Sequence, residues 1–150
     1  MWWITQPKCK YGVYACLDAP TATNTTTASQ WYPIAGAFTN DPINGFSLNA
    51  DKIQYDGVPS QYFEIDWQSS IQSNTATNII HVAVKRNDEV LEICKMGGLA
   101  KFINEPIAVA GTVVVYLESN DTVQLVIQSS QPNSTITVNH FTTTIRKFYD

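Results

Sequence analysis

The chain has 150 residues, 44% of them hydrophobic but only 15% charged, and a formal net charge of −4. That length suits one domain with a single core, and with no block of Lys or Arg to neutralise phosphates the chain is not built for nucleic acid. Thr, Asn, Ser and Gln supply the polarity that charge usually supplies; Thr favours strands while Asn and Ser favour turns, which predicts an all-β protein with many loops.

Residues 1–30 are expected to form an N-terminal arm, and residues 31–150 the folded domain. The arm opens on Trp2, Trp3, Tyr11 and Tyr14, large rings whose exposure would be costly in water. They are expected to dock, either on this chain's own body or as an anchor in a neighbouring subunit or partner. The Thr/Ser-rich stretch 21–29 lacks core-forming side chains and reads as a linker or extended arm. Met1-Trp2-Trp3-Ile4 is too short for a signal-peptide core, and no run of transmembrane length follows, so no membrane insertion is expected. Cys9, Cys16 and Cys94 lack zinc-site spacing. Unpaired thiols are expected, with a Cys9–Cys16 bridge as the alternative.

From Trp31 the pattern becomes a succession of short strands. Residues 31–38 are the first, followed by turn signals at Asp41-Pro42 and Asn44-Gly45. Residues 51–55 end at Asp56-Gly57, and residues 62–71 alternate, with Phe63, Ile65 and Trp67 on one side and Tyr62, Glu64 and Asp66 on the other. Residues 77–86 carry Ile80, Val82 and Val84 on one face; Asn87-Asp88 turns the chain into 89–95, and Gly97-Gly98 breaks it before 99–103. Runs 112–117 and 122–127 flank Glu118-Ser119-Asn120-Asp121 and predict a hairpin, apolar on both faces and so requiring cover twice. In the last run, 135–148, Ile136, Val138 and His140 alternate with Thr137, Asn139 and Phe141. Some eight to ten strands without a helix predict a sandwich or jelly roll.

No constellation points to catalysis. His81 and His140 each sit alone in a predicted strand, the setting of a structural histidine. Glu64 and Asp66 share a strand face about 7 Å apart, a separation that glycosidases use, but a solvated face or partners for Lys and Arg is the better reading. Asp88, Glu89 and Glu92 surround a turn that would hold a cation only loosely. Trp31, Tyr32, Tyr55, Tyr62 and Trp67 suit sugar stacking, yet core or interface packing is their commoner fate.

Residues 107–148 resemble the C-terminal half of the tumour necrosis factor-like jelly roll, shared by complement globular heads. The matching features are the strand at 113–117, the spacing Leu117-x-x-x-Asp121-x-Val123-x-Leu125, and a Thr-rich last strand. Asn120 stands where that pattern has Gly, and Asn tolerates the left-handed conformation. Upstream, Gln61-Tyr62-Phe63-Glu64-Ile65 and Val82-Ala83-Val84-Lys85-Arg86-Asn87 resemble strands of the same domains. The likeness covers about residues 31–148 and is absent from 1–30.

The resemblance implies a two-sheet jelly-roll sandwich that forms a compact homotrimer, with apolar and aromatic side chains of one sheet lining the axis. Tyr62, Tyr116, Phe141, Phe148 and Tyr149 are expected to face that axis. Without signal, membrane anchor or collagen stalk, the chain looks most like a phage or virus surface protein. The expected function is a non-enzymatic capsid decoration or head-fibre protein on the virion surface, without cofactor or metal, seated on a capsid or fibre-base protein by residues 1–30. One alternative is a tail-fibre tip or receptor-binding domain that touches host-surface glycans through loops such as 56–61 or 87–92. A second is a secreted cytokine or complement-type ligand.

Overall fold

The computed structural model describes residues 12–36, 38–49 and 51–148, the side chains of 39–43 excepted. The strands are β1 (Gly12–Leu17), β2 (Thr21–Thr25), β3 (Trp31–Pro33), β4 (Phe38–Asn44), β5 (Phe46–Asn49), β6 (Lys52–Tyr55) and β7 (Gln61–Ser73). They continue as β8 (Asn78–Arg86), β9 (Glu89–Val90), β10 (Met96–Ala100), β11 (Ile107–Leu117), β12 (Thr122–Ser129) and β13 (Ser134–Lys147). A single 3-10 turn, Glu92–Cys94, is the only helical element among the described residues.

One sheet runs β11-β7-β13-β1-β4, with β2 also on β13; the other runs β10-β8-β12-β6-β5, with β3 also on β12 and β9 on β8. Alternation in β7 turns Phe63, Ile65, Trp67 and Ile71 into the space between the sheets, where β13 sends Ile136, Val138, Phe141 and Ile145. Ile80, Val82, Val84, Val123, Leu125 and Ile127 close the core from the second sheet. The architecture is the two-sheet jelly-roll sandwich the sequence predicts.

The expected hairpin is a correction. β11 pairs with β7, and β12 pairs with β8, β6 and β3, so the two runs are neighbours in sequence but lie in opposite sheets. The connecting turn does not close a ladder because its backbone bonds elsewhere: Asn120 N–H donates to the Tyr55 carbonyl at 2.7 Å, and Tyr55 N–H to that of Asp121 at 2.9 Å. Asn120 holds φ at 72°, a conformation that β-branched residues reach only with strain. Asn120→Gly should therefore leave the denaturation midpoint nearly unchanged, while Asn120→Val should cost roughly 1–3 kcal/mol; paired urea titrations compare them.

The need for a double cover is met differently on the two strands. On β12, Val126 is 1% exposed although it points away from the sandwich, beside the fully buried Ala83. Trp31 on β3 crosses that face, its Nε1 donating to Glu92 Oε1 at 2.8 Å, so the chain covers itself there. On β11 the outward Val114 and Tyr116 remain 43% and 38% exposed.

The N-terminal boundary also moves. β1 pairs with β13 and β4, and β2 extends along β13. Val13 and Ala15 are buried, as are Thr23 and Thr25. Thr serves as a core residue here because its hydroxyl is bonded: Thr25 Oγ1 donates to the Ser134 carbonyl at 2.9 Å, and Thr23 Oγ1 accepts from Ala35 N–H at 3.0 Å. Residues 12–25 are thus sheet strands, not an arm or linker, and Trp2, Trp3 and Tyr11 lie outside the described residues.

Three smaller expectations shift for local reasons. The run 31–38 divides between the sheets, β3 joining β12 and β4 joining β1. The run 89–95 is a strand only at Glu89–Val90 before it becomes the 3-10 turn. Gly97-Gly98 lies inside β10 rather than breaking the chain, because a Cβ at Gly97 would come within 2.4 Å of the ring of His81 opposite.

Candidate interaction surface

The outward face of the β11-β7-β13-β1 sheet can be read from its register. Tyr116 pairs with Tyr62, and Phe148, just beyond β13, donates its N–H to the Tyr62 carbonyl at 3.0 Å. The tyrosine rings lie 5.0 Å apart at 59°. Tyr62, Tyr116 and Phe148 are 50%, 38% and 41% exposed, and Val114 extends the patch along β11. Their inward neighbours Phe63, Val115 and Leu117 are core residues, so strand alternation alone fixes the patch on the surface.

Beneath the patch, Val114, Glu64, Arg146 and Gly12 form the next row across the sheet. Arg146 Nη2 lies 3.1 Å from Glu64 Oε1 and 3.2 Å from Asp66 Oδ2. Its hydrogen bond to Glu64 and the charges of both carboxylates raise the guanidinium pKa. The Glu64/Asp66 pair is thus occupied by one shared cation, which is what a structural face does with two carboxylates; at the surface the gain is modest.

Not all of the expected axis residues lie here. Phe141 is fully buried and packs edge-on to Phe38 at 5.9 Å. The cause is a register shift in β13 between Val138 and His140, which reverses the alternation and turns His140 outward and Phe141 inward. Tyr149 lies outside the described residues. Tyr14, expected in the anchor, is 42% exposed on β1 opposite Thr144, on the same outer face as Arg146.

The remaining candidates scatter. His81 is on β8, its pKa lowered by burial and by Lys95, whereas His140 is on the other sheet. Glu89 and Glu92 meet Arg86 and Lys95 at 3.8 and 3.5 Å. Among the described residues no group of three or more His, Cys, Asp or Glu is placed to hold a metal. Tyr55 and Trp67 belong to the core, and Tyr55 Oη donates to the Pro59 carbonyl at 2.6 Å. Cys94 is buried, its Sγ 3.0 Å from the Leu91 carbonyl, and burial pushes its thiol pKa up. No described helix is long and apolar enough to cross a membrane.

Sequence reasoning missed a second exposed group, Leu99, Phe102 and Ile103, at 53%, 60% and 61%. Reading 99–103 as one strand assigned Phe102 and Ile103 to a sheet. The signal was Asn104, at φ 59°, which with Glu105-Pro106 marks a turn.

The sandwich has two dissimilar ends. Gly12, Phe148 and the connections at 45, 56–60, 87–88 and 118–121 share the end that carries the aromatic patch. Connections 26–30, 74–77, 101–106 and 130–133 share the other.

No protein-family model and no curated protein sequence matches the chain. Solved structures do. Eiger TNF from S. frugiperda matches with a TM-score of 0.65 at 10% identity, covering 93% of each chain. The PRD1 vertex protein P5 matches with a TM-score of 0.58 at 14% identity, covering 94% of this chain and 99% of its own. The globular domain of the zebrafish complement 1qA protein matches at 0.57 and 10%, covering 93% and 98%. At these identities the likeness concerns the fold, and the fold is the tumour necrosis factor-like jelly roll.

Proposed function

We propose that three copies of this chain close around the Tyr62, Tyr116 and Phe148 patch, and that the trimer is a non-enzymatic surface protein of a phage or virus particle. The observation that carries the reading is that patch: three large rings share one sheet face, and each is more than a third exposed among the described residues. Exposed apolar surface of this kind, beside charged groups already paired, suits a self-association interface. A cyclic arrangement of three places the same patch of each copy at one axis. The vertex-protein neighbour favours a particle-surface role, as does a Thr- and Asn-rich chain with few charges. Eiger TNF and the complement domain keep a secreted ligand as the second reading. Decoration of a capsid or a head fibre is our first choice of placement, and a fibre tip the next.

The seating element is residues 1–11 with Trp2, Trp3 and Tyr11, because residues 12–25 are occupied as sheet strands. Immunogold labelling of particles purified from the protein's source is expected to decorate their exterior. Deleting residues 1–11 should abolish labelling and leave the thermal transition in place. Deleting 1–30 should instead unfold the chain, since it removes the buried Val13, Ala15, Thr23 and Thr25. Recovery of the chain only as a particle-free secreted protein would favour the ligand reading.

A further inference from the structure

We infer that the outward recognition surface is the end of the sandwich opposite the aromatic patch, and that its groove over the end of the β2–β13 ladder binds uncharged carbohydrate. This rests on the seating just proposed. Gly12, the first described residue, is opposite Arg146 and Asn44, so the chain enters the described sandwich at the Phe148 end. A protein seated by residues 1–11 turns loops 56–61 and 87–92 toward the particle and presents 26–30, 74–77, 101–106 and 130–133 to the outside. On that seating, the loops first expected to touch glycans face the particle.

The presented end carries a shallow groove of about 270 Å³, lined by Asn24, Thr25, Thr26, Asn133, Ser134 and Thr135. Every lining side chain is a neutral amide or hydroxyl. Such a lining offers hydrogen bonds but no counter-charge, which suits a ligand rich in hydroxyls and without charge, the chemistry of a neutral sugar.

The floor of the groove is already satisfied. Thr25 Oγ1 donates to the Ser134 carbonyl at 2.9 Å, Asn133 N–H to the Thr26 carbonyl at 3.0 Å, and Thr135 Oγ1 to Asn24 Oδ1 at 3.1 Å. Those bonds fix Asn24 by its oxygen and leave its NH₂ group to donate outward. The Asn133 side chain is exposed in the 130–133 connection, and among the described residues no hydrogen bond engages its amide, which can offer both donors and acceptor to a ligand. An amide that gives and accepts side by side matches two neighbouring sugar hydroxyls. The wall is held from the next connection, since Asn74 Oδ1 accepts from Thr135 N–H at 2.9 Å and Ser134 Oγ bonds Thr75 Oγ1 at 3.0 Å.

The test applies the full chain to an array printed with neutral and with sialylated or sulfated glycans. Asn24→Ala and Asn133→Gly are compared with Asp56→Ala and Asp88→Ala at the opposite end. Asn133 holds φ at 53°, which Gly adopts at no cost, so that variant should fold. Binding to a neutral glycan that weakens at least about tenfold in both Asn variants, and is unchanged in both Asp variants, is the expected result. Binding restricted to anionic glycans, binding insensitive to Asn24 and Asn133, or no binding would overturn the groove. Particle labelling without glycan binding would overturn it and keep the seating. Asn133-dependent binding by a chain that never labels particles would keep the groove and remove the seating.

Discussion

Phe63→Ala is expected to lower stability by about 3–5 kcal/mol, the range for emptying a buried aromatic site. Phe63 is fully buried, and its ring lies 4.9 Å from that of Tyr55 and 5.2 Å from that of Phe46. Phe46 and Tyr55 come from one sheet and Phe63 from the other, so removing the ring uncouples the layers at the end that carries the surface patch. The cavity cannot relax easily, because Tyr55 is held by its bond to Pro59 and by one from Gln61 Nε2 at 2.8 Å. Typical domain stability is about 5–15 kcal/mol, so the loss takes a large share of it. Urea denaturation should show a lower midpoint with the slope retained; an unchanged midpoint would mean that this trio is not a structural hub.

Tyr116→Asp is expected to turn a trimer into a folded monomer. Tyr116 is 38% exposed and packs on Tyr62, so the isolated chain tolerates the carboxylate. Around a shared axis the change places three like charges together, and the nearby cations are already engaged: Arg146 by Glu64 and Asp66, and Arg86 by Glu89 and the Tyr116 carbonyl. Losing a central interface ring alone typically costs about 2 kcal/mol or more, and each trimer loses three. Circular dichroism should match the parent while sedimentation shows a single chain. Ile93→Asp serves as the control: Ile93 is 94% exposed on the 3-10 turn, and its substitution should leave assembly intact. If both variants dissociate the protein, the patch has no special role.

Much of the sandwich was legible because strand alternation is a local signal. The parity of β7 followed directly from Phe63, Ile65 and Trp67, and with it the outward position of Tyr62. Partnership between strands was not local. Nothing in 111–127 reveals that Asn120 and Asp121 bond to Tyr55 rather than closing a hairpin. Phe141 was misplaced by one residue of bulge, since a single insertion flips every later side chain. The Thr-rich β2 looked like linker because its burial depends on hydroxyl partners over a hundred residues away in sequence, as Thr25 finds at Ser134. Asn78 shows the same limit. It is fully buried, donates from Nδ2 to Ser73 Oγ at 3.0 Å and accepts at Oδ1 from Ser129 Oγ at 2.8 Å. In the sequence it is one more turn-forming Asn.

The proposed interface had a legible half. Tyr62 and Tyr116 could be placed outward from alternation, but their pairing required the β7–β11 register. The groove at the opposite end had no periodic signature at all. It arises where β2 and β13 meet, from short polar side chains that composition assigns to turns.

Sedimentation equilibrium of the full chain at micromolar concentration tests the assembly most directly. A single species at three times the 16.7 kDa chain mass is the predicted result. A stable species at the mass of one chain, with the Tyr62, Tyr116 and Phe148 rings left to solvent, would contradict it.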